Sequence, residues 1–139
     1  MKPPLFDYVT PESVEEAVAA HAGEADSVLL AGGQSLLPTL NFRIANPALL
    51  IDIGRIEALR GIDVSATEIT VRAMVRQREV ELSATVHRAN PLLREVLGNV
   101  AHTVVRNRGT LAGSIAHADA AAELPAMLLA TEGVVEVQG

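Results

Sequence analysis

Leu29-Leu-Ala-Gly-Gly-Gln-Ser-Leu-Leu-Pro38 reads as an apolar strand, a turn with two glycines, and two small polar residues entering a helix. Gly32 and Gly33 can take up φ > 0 and let a backbone approach a ligand closely. The amides that follow stand at the positive end of a helix dipole, a setting that suits an anion and most often a phosphate. A second glycine loop, Arg106-Asn-Arg-Gly-Thr-Leu-Ala-Gly-Ser114, has the same chemistry. Two such loops could hold one diphosphate.

Working outward, Ser27 to Ala31 is the expected strand, and Leu36, Leu37, Leu40 and Ile44 keep helical spacing after it. Pro38 is tolerable in a first turn, Asn46-Pro47 ends the helix, and Ala48-Leu-Leu-Ile-Asp-Ile53 is a continuous apolar strand. Strand, helix and strand with short links predict a parallel βαβ unit. Upstream, Thr10 is the expected N-cap of a helix, with Pro11 at its first position and Gly23 as its stop. Val14, Ala17, Val18 and His21 share one face of it.

After Gly54 the pattern changes. Leu59 to Val64 and Thr67 to Ala73 alternate around Ser65-Ala66, as in a β-hairpin. Gln77 to Leu97 is helical with a break at Asn90-Pro91, and Asp119 to Thr131 is an alanine- and leucine-rich helix. Val134 to Gln138 is expected to begin another strand, which leaves the second lobe unfinished. The lobe boundary falls near Gly54 to Ala58.

With 49% hydrophobic and 20% charged residues, the composition is that of a soluble globular protein. No apolar run reaches the length of a membrane span, and Met-Lys-Pro-Pro-Leu-Phe lacks a signal-peptide core, so a cytoplasmic location is expected. A net charge of −6 argues against nucleic acid as a partner. The absence of cysteine excludes disulfides, thiolate-held clusters and cysteine nucleophiles from these 139 residues. His21, His87, His102 and His117 are scattered, so no metal site is expected. His117 and Asp119 suggest either a polar pair at a ligand or, more ordinarily, a local loop hydrogen bond. Arg76, Arg78, Arg106 and Arg108 would steer an acidic ligand or dock a partner, or simply be solvated. No residue is singled out as catalytic. Neither loop is a Walker A or Rossmann fingerprint.

Phe6-Asp-Tyr, Leu30-Ala-Gly-Gly-Gln-Ser-Leu-Leu-Pro38, Leu50-Ile-Asp-Ile53, the run Arg106 to Asp119 and Ala122-Glu-Leu-Pro125 occur in this order and spacing. In this the chain resembles the FAD-binding medium subunits of molybdenum hydroxylases, the family of aerobic carbon monoxide dehydrogenase and xanthine dehydrogenase. The resemblance implies an α+β, two-lobed fold of the vanillyl-alcohol oxidase type, with FAD extended between the lobes. Residues 1–55 would form an α/β lobe and residues 56–139 a second, incomplete lobe with antiparallel strands. The family's C-terminal domain would be absent. It also implies that Leu29, Leu30, Ala31, Gly32, Gly33, Gln34, Ser35 and Leu36 wrap the diphosphate of a non-covalent FAD. Thr110, Leu111, Ala112, Gly113 and Ser114 would contact diphosphate or flavin, and Glu123 the ADP part. Gln34 stands where related oxidases often carry a histidine, so no covalent flavin link is expected.

The family usually has Thr-Ile-Gly-Gly in the second loop, whereas this chain has Thr110-Leu-Ala-Gly113. Ala112 would be strained if its φ were positive. By the same resemblance the molybdenum cofactor and iron–sulfur clusters sit on a large and a small partner subunit. A separate chain completing the C-terminal half is a further expected partner. The implied role is electron transfer from those clusters through FAD to an external acceptor. Two alternatives stand beside it: a non-catalytic nucleotide-binding or docking module, which the short length favours, and a stand-alone flavin oxidase of the wider superfamily, which the short length disfavours.

Overall fold

The computed structural model describes residues 2–139, which form two compact units, one of residues up to Ala58 together with Gln138–Gly139 and one from Leu59 to Val137. Each has its own secondary structure and its own buried side chains.

The first unit is built on a parallel sheet. Strands β1 (Asp7–Val9), β2 (Ser27–Leu30) and β3 (Leu49–Asp52) lie in the order β1-β3-β2, all parallel. Helix α1 (Val14–Gly23) follows β1, and α2 (Leu36–Asn41) joins β2 to β3. The predicted βαβ unit is therefore present, with Leu30 paired to Asp52 at the last rung. β3 is central because its Leu49-Leu-Ile run is apolar on both sides, as a doubly covered parallel strand requires. Leu50 and Ile51 are buried accordingly. Strand β1, not expected from the sequence, adds to the other edge of β3 through Asp7, Tyr8 and Val9.

Two local expectations are corrected here. The N-cap of α1 is Ser13, not Thr10: its hydroxyl accepts from the Glu16 N–H, so Pro11 lies outside the helix. Ser13 wins because Glu16 then reaches back to the Glu12 N–H at 2.9 Å, fixing the first turn from both sides. In α2 only Leu40 of the predicted apolar face is buried, and Ile44 lies beyond the helix in solvent. Phe42 ends that helix and Arg43 follows with φ 57°, which turns the chain away before Ile44.

In the second unit, β4 (Ile62–Val64) and β5 (Ile69–Val71) form the predicted antiparallel hairpin. Ile62, Val64, Ile69 and Val71 face a helical core, while Asp63 and Thr70 alternate to the other side. The helices are α3 (Gln77–Leu82), α4 (Ala84–Ala89), α5 (Pro91–Asn99), α6 (Thr103–Arg106), α7 (Leu111–His117) and α8 (Glu123–Ala130). Asn90 caps α5 with Pro91 at its first position, so the Asn-Pro break is a cap rather than a loop. Val80, Val86, Leu93, Leu97, Leu111, Leu124 and Met127 make the core. The strand expected at Val134 to Gln138 is absent: the segment has no strand partner among the described residues, and Val134 and Val137 are exposed. An apolar sequence becomes a strand only where an edge receives its backbone hydrogen bonds.

Candidate functional site

The first glycine loop leaves β2 at Leu30 and enters α2 at Leu36. Gly33 has φ 70°, and Cβ-sized density there would lie 3.0 Å from Leu37 Cδ1 and 3.1 Å from Leu30 Cδ1. The turn thus demands glycine on both backbone and packing grounds. Its carbonyls are engaged internally: Gly33 O accepts from Leu37 N–H, Gly32 O from Gln34 Nε2, and Ser35 O from the Thr39 N–H and hydroxyl. Its donors are not. Among the described residues, the backbone N–H groups of Gly32, Gly33, Gln34 and Ser35 reach no protein acceptor. Ser35 makes no side-chain cap bond either, which leaves its hydroxyl available. Four successive unpaired amides and a hydroxyl form a donor-only surface, the arrangement that accepts a phosphate or other anion. Leu29 is half exposed, and Leu30, Ala31 and Leu36 are partly buried around it.

The second loop is held differently. The segment Val75–Gln77 lies against it as an isolated antiparallel bridge, Arg76 opposite Thr110. Gln77 N–H donates to Gly109 O at 2.8 Å and Leu111 N–H to Val75 O at 3.2 Å. Two side chains add to this, with Arg76 Nη1 donating to Arg108 O and Gln77 Nε2 to Thr110 O at 3.4 Å. Three consecutive carbonyls are thereby tied back by Arg76 and Gln77. The sequence motif offered no sign of this support, because Val75 to Gln77 reads as an ordinary strand-to-helix link.

Beneath the loop is Arg106, only 7% exposed. Its guanidinium forks onto Glu81, with Nε to Oε2 at 2.9 Å and Nη2 to Oε1 at 3.2 Å. Nη1 donates to Val100 O and Ala101 O, the latter residue standing at φ 43°. Arg78 also pairs with Glu81 at 2.9 Å. The Arg106 bond, seconded by Arg78, holds the Glu81 carboxyl below its usual range against the opposing effect of burial. Arg106 is therefore an anchor within the fold, while Arg78 is a partly exposed cation paired to Glu81 one turn along its own helix. Gln77, Arg106 and Thr110 are the buried polar residues described in this unit, and all three belong to this loop and its support.

Thr110 is 2% exposed and its hydroxyl accepts from Gly113 N–H, capping α7. Leu111 is buried, whereas Ala112, Gly113 and Ser114 are partly exposed. Ala112 lies inside α7 and is not among the residues with positive φ, so the strain foreseen for it does not arise. The left-handed position is Ala118, at the far end of the helix. Glu123 is exposed in the first turn of α8. Asp119 accepts from Ala121 N–H at 2.9 Å, the local loop bond, rather than pairing with His117. No group of three or more metal-ligating side chains occurs among the described residues. No helix among them is long and apolar enough to cross a membrane.

Comparison with known proteins covers nearly the whole chain. A family model described as the FAD binding domain in molybdopterin dehydrogenase matches residues 4–139. The chain is 48% identical to the 6-hydroxypseudooxynicotine dehydrogenase complex subunit alpha of Paenarthrobacter nicotinovorans, over 99% of this chain and 47% of the relative. It is 43% identical to the carbon monoxide dehydrogenase medium chain of Hydrogenophaga pseudoflava, over 100% of this chain and 49% of that one. Among solved structures, quinoline 2-oxidoreductase from Pseudomonas putida 86 superposes with a TM-score of 0.89 at 45% identity, covering 92% of this chain and 45% of that chain. The chain spans about half the length of the curated relatives it matches.

Proposed function

The chain belongs to the family of FAD binding domains in molybdopterin dehydrogenases, and from that premise we propose that it binds FAD as part of an electron-transfer subunit of a molybdenum hydroxylase. The observation that carries this reading is the run of unpaired amides from Gly32 to Ser35, a donor surface fitted to a diphosphate. Leu29 to Leu36 would hold that diphosphate, with the Ser35 hydroxyl adding a donor. Ala112, Gly113 and Ser114 would supply contacts from the second loop, with Thr110 shaping its turn as the buried cap of α7. Glu123, a free exposed carboxylate, would accept from ribose hydroxyls. Bound FAD would supply the redox chemistry, taking electrons from iron–sulfur clusters of a partner subunit and passing them to an external acceptor. The protein's own part is to bind and orient the cofactor.

The names of the relatives, a medium chain and a complex subunit, support partners of two kinds, a molybdenum-cofactor subunit and an iron–sulfur subunit. The half-length match supports a further segment of chain, joined or separate, that completes the flavin-binding subunit. Residues 1–55 and 56–139 then correspond to the two lobes of the FAD-binding fold. A cytoplasmic location accords with this reading.

The test is a visible absorption spectrum of the purified chain during titration with FAD, alongside circular dichroism to establish folding. A flavin band that stays with the protein through gel filtration is the expected result. A folded chain that retains no flavin at any added concentration, alone or co-expressed with the missing half of a relative, overturns the reading.

A further inference from the structure

We infer that residues 134–137 are a docking strand of the second unit, whose occupant is a β-strand from the counterpart of the half of its relatives that this chain does not match. This rests on the half-length part of the reading above and not on FAD. By itself the segment pairs with nothing. Among the described residues, the backbone of Val134, Val135, Glu136 and Val137 neither donates nor accepts a hydrogen bond. Val134 and Val137 are 86% and 88% exposed, and Val135 is half exposed. Three β-branched residues in four give the composition of a strand. In an extended chain Val135 and Val137 share one side, and Val134 and Glu136 the other. Open backbone groups beside exposed valines are what an incoming strand pairs with in strand addition.

The approach to this segment is fixed although the segment itself is unpaired. Helix α8 ends in a Schellman motif: Glu132 N–H donates to Leu129 O at 3.2 Å and Gly133 N–H to Leu128 O at 2.8 Å. Glu132 takes the left-handed position at φ 53°, which glycine ordinarily fills. The Thr131 hydroxyl donates to Met127 O at 3.0 Å and closes the last turn as well. The chain therefore leaves α8 in a set direction and carries its valines into solvent. Helix α8 gives a second sign of a missing neighbour. Its Leu124-Pro-Ala-Met-Leu-Leu-Ala130 run is apolar all round, as in a helix covered on every side. Leu124 and Met127 are buried, yet Leu129 stands 81% exposed. Length identifies the cover. The curated relatives are about twice as long as this chain, so a domain's worth of further polypeptide accompanies the matched half in them. Two copies of a chain with net charge −6 repel one another, which disfavours a second copy as the occupant.

The experiment co-expresses this chain with an affinity-tagged copy of the half of the Hydrogenophaga pseudoflava medium chain that it does not match, without added flavin. The tagged half should retain this chain through gel filtration. Amide exchange at Val135, Glu136 and Val137 should slow by about tenfold or more in the complex, as their N–H groups become bonded. Val135→Pro and Glu136→Pro remove N–H groups on opposite edges of an extended segment. Those groups bond to nothing in the free chain, so both variants should unfold in urea together with the unsubstituted chain. At least one of them should lose about tenfold or more in co-purification. Full retention of both variants, retention without slowed exchange at these residues, or no retention of the folded unsubstituted chain overturns the inference. So does slowed exchange in the chain alone that rises with its concentration alongside a dimer in sedimentation, since a second copy would then be the occupant. Flavin is read separately: a complex that forms through this segment and takes up no FAD overturns the FAD reading and leaves this inference standing.

Discussion

The phenol of Tyr8 donates to Asp52 Oδ2 at 2.5 Å, linking β1 to the end of β3 across 44 residues of sequence. The other oxygen, Oδ1, accepts from Gly54 N–H at 2.8 Å. One carboxylate thus closes two neighbouring backbone segments at the rung beside Leu30, where the first glycine loop begins.

The bond to Asp52, with smaller effects of burial and of its charge, raises the Tyr8 pKa above the ordinary 10.0. The folded state therefore holds the phenolic proton more tightly than the unfolded chain does. Its stabilising contribution is full below pH 10.0 and is lost as pH rises through the raised value. Tyr8 is the only tyrosine and there is no tryptophan, so tyrosinate absorbance reports this group alone. The titration midpoint should lie higher in the native chain than in urea, and Asp52→Asn should bring it down. Coincident midpoints would show that the bond does not persist in solution.

Gly33→Ala tests the first loop's backbone. At φ 70° a Cβ costs about 1–2 kcal/mol, and the 3.0 Å approach to Leu37 adds to it. Urea unfolding should register a loss of that size before any cofactor is considered. Gly33→Val would fail for the same internal reason, so lost flavin in that variant reports a distorted turn. Ser35→Ala is the cleaner probe, since its hydroxyl serves no cap, and it should weaken FAD binding without altering unfolding.

Glu81 receives both Arg106 and Arg78, and removing it leaves a buried guanidinium half unpaired. Glu81→Ala should cost about 3–5 kcal/mol, a large share of a small domain's stability. Because the folded state depresses the carboxyl's pKa, its contribution is present above the ordinary 4.5 and disappears as pH falls through the lower folded value. The stability gap between the unsubstituted chain and Glu81→Gln should therefore shrink as pH is lowered from roughly 6 to 3. A gap constant across that range would contradict the assignment.

Gln77 is 4% exposed, yet its Oε1 has no partner among the described residues. An unmade buried bond costs about 1–3 kcal/mol, which offsets the weak 3.4 Å bond from Nε2. Gln77→Met should accordingly unfold within about 1 kcal/mol of the unsubstituted chain, while amide hydrogen exchange at Gly109 and Leu111 speeds up. Unchanged exchange would mean that the backbone bridge alone holds the loop.

Much of this was legible in residue order. Gly32-Gly33 between an apolar run and a helical pattern marked the first loop, and Leu49-Leu-Ile marked the central strand. Both rest on local rules, backbone freedom in the first case and strand burial in the second. β1 escaped notice because its three residues are exposed and become a strand only by pairing with β3. Val134 to Val137 failed in the opposite sense, having a strand's composition without a strand's partner. The N-cap moved from Thr10 to Ser13 because both residues qualify, and the reciprocal bond from Glu16 separates them.

The sequence alone determined where the two glycine loops lie, the βαβ unit, the hairpin and most of the helices, and the family to which the chain belongs. Those properties depend on neighbours along the chain. Tertiary structure decided what each polar side chain does. Arg76, Arg78, Arg106 and Arg108 are one residue type within a short span of sequence pattern, and only the positions of Glu81 and of the Arg108 carbonyl tie Arg106 and Arg78 to one carboxylate and Arg76 to a backbone oxygen. The physical reason is that a charge's role is set by its partners within a few ångströms, and for Arg106 and Arg76 those partners come from remote parts of the chain.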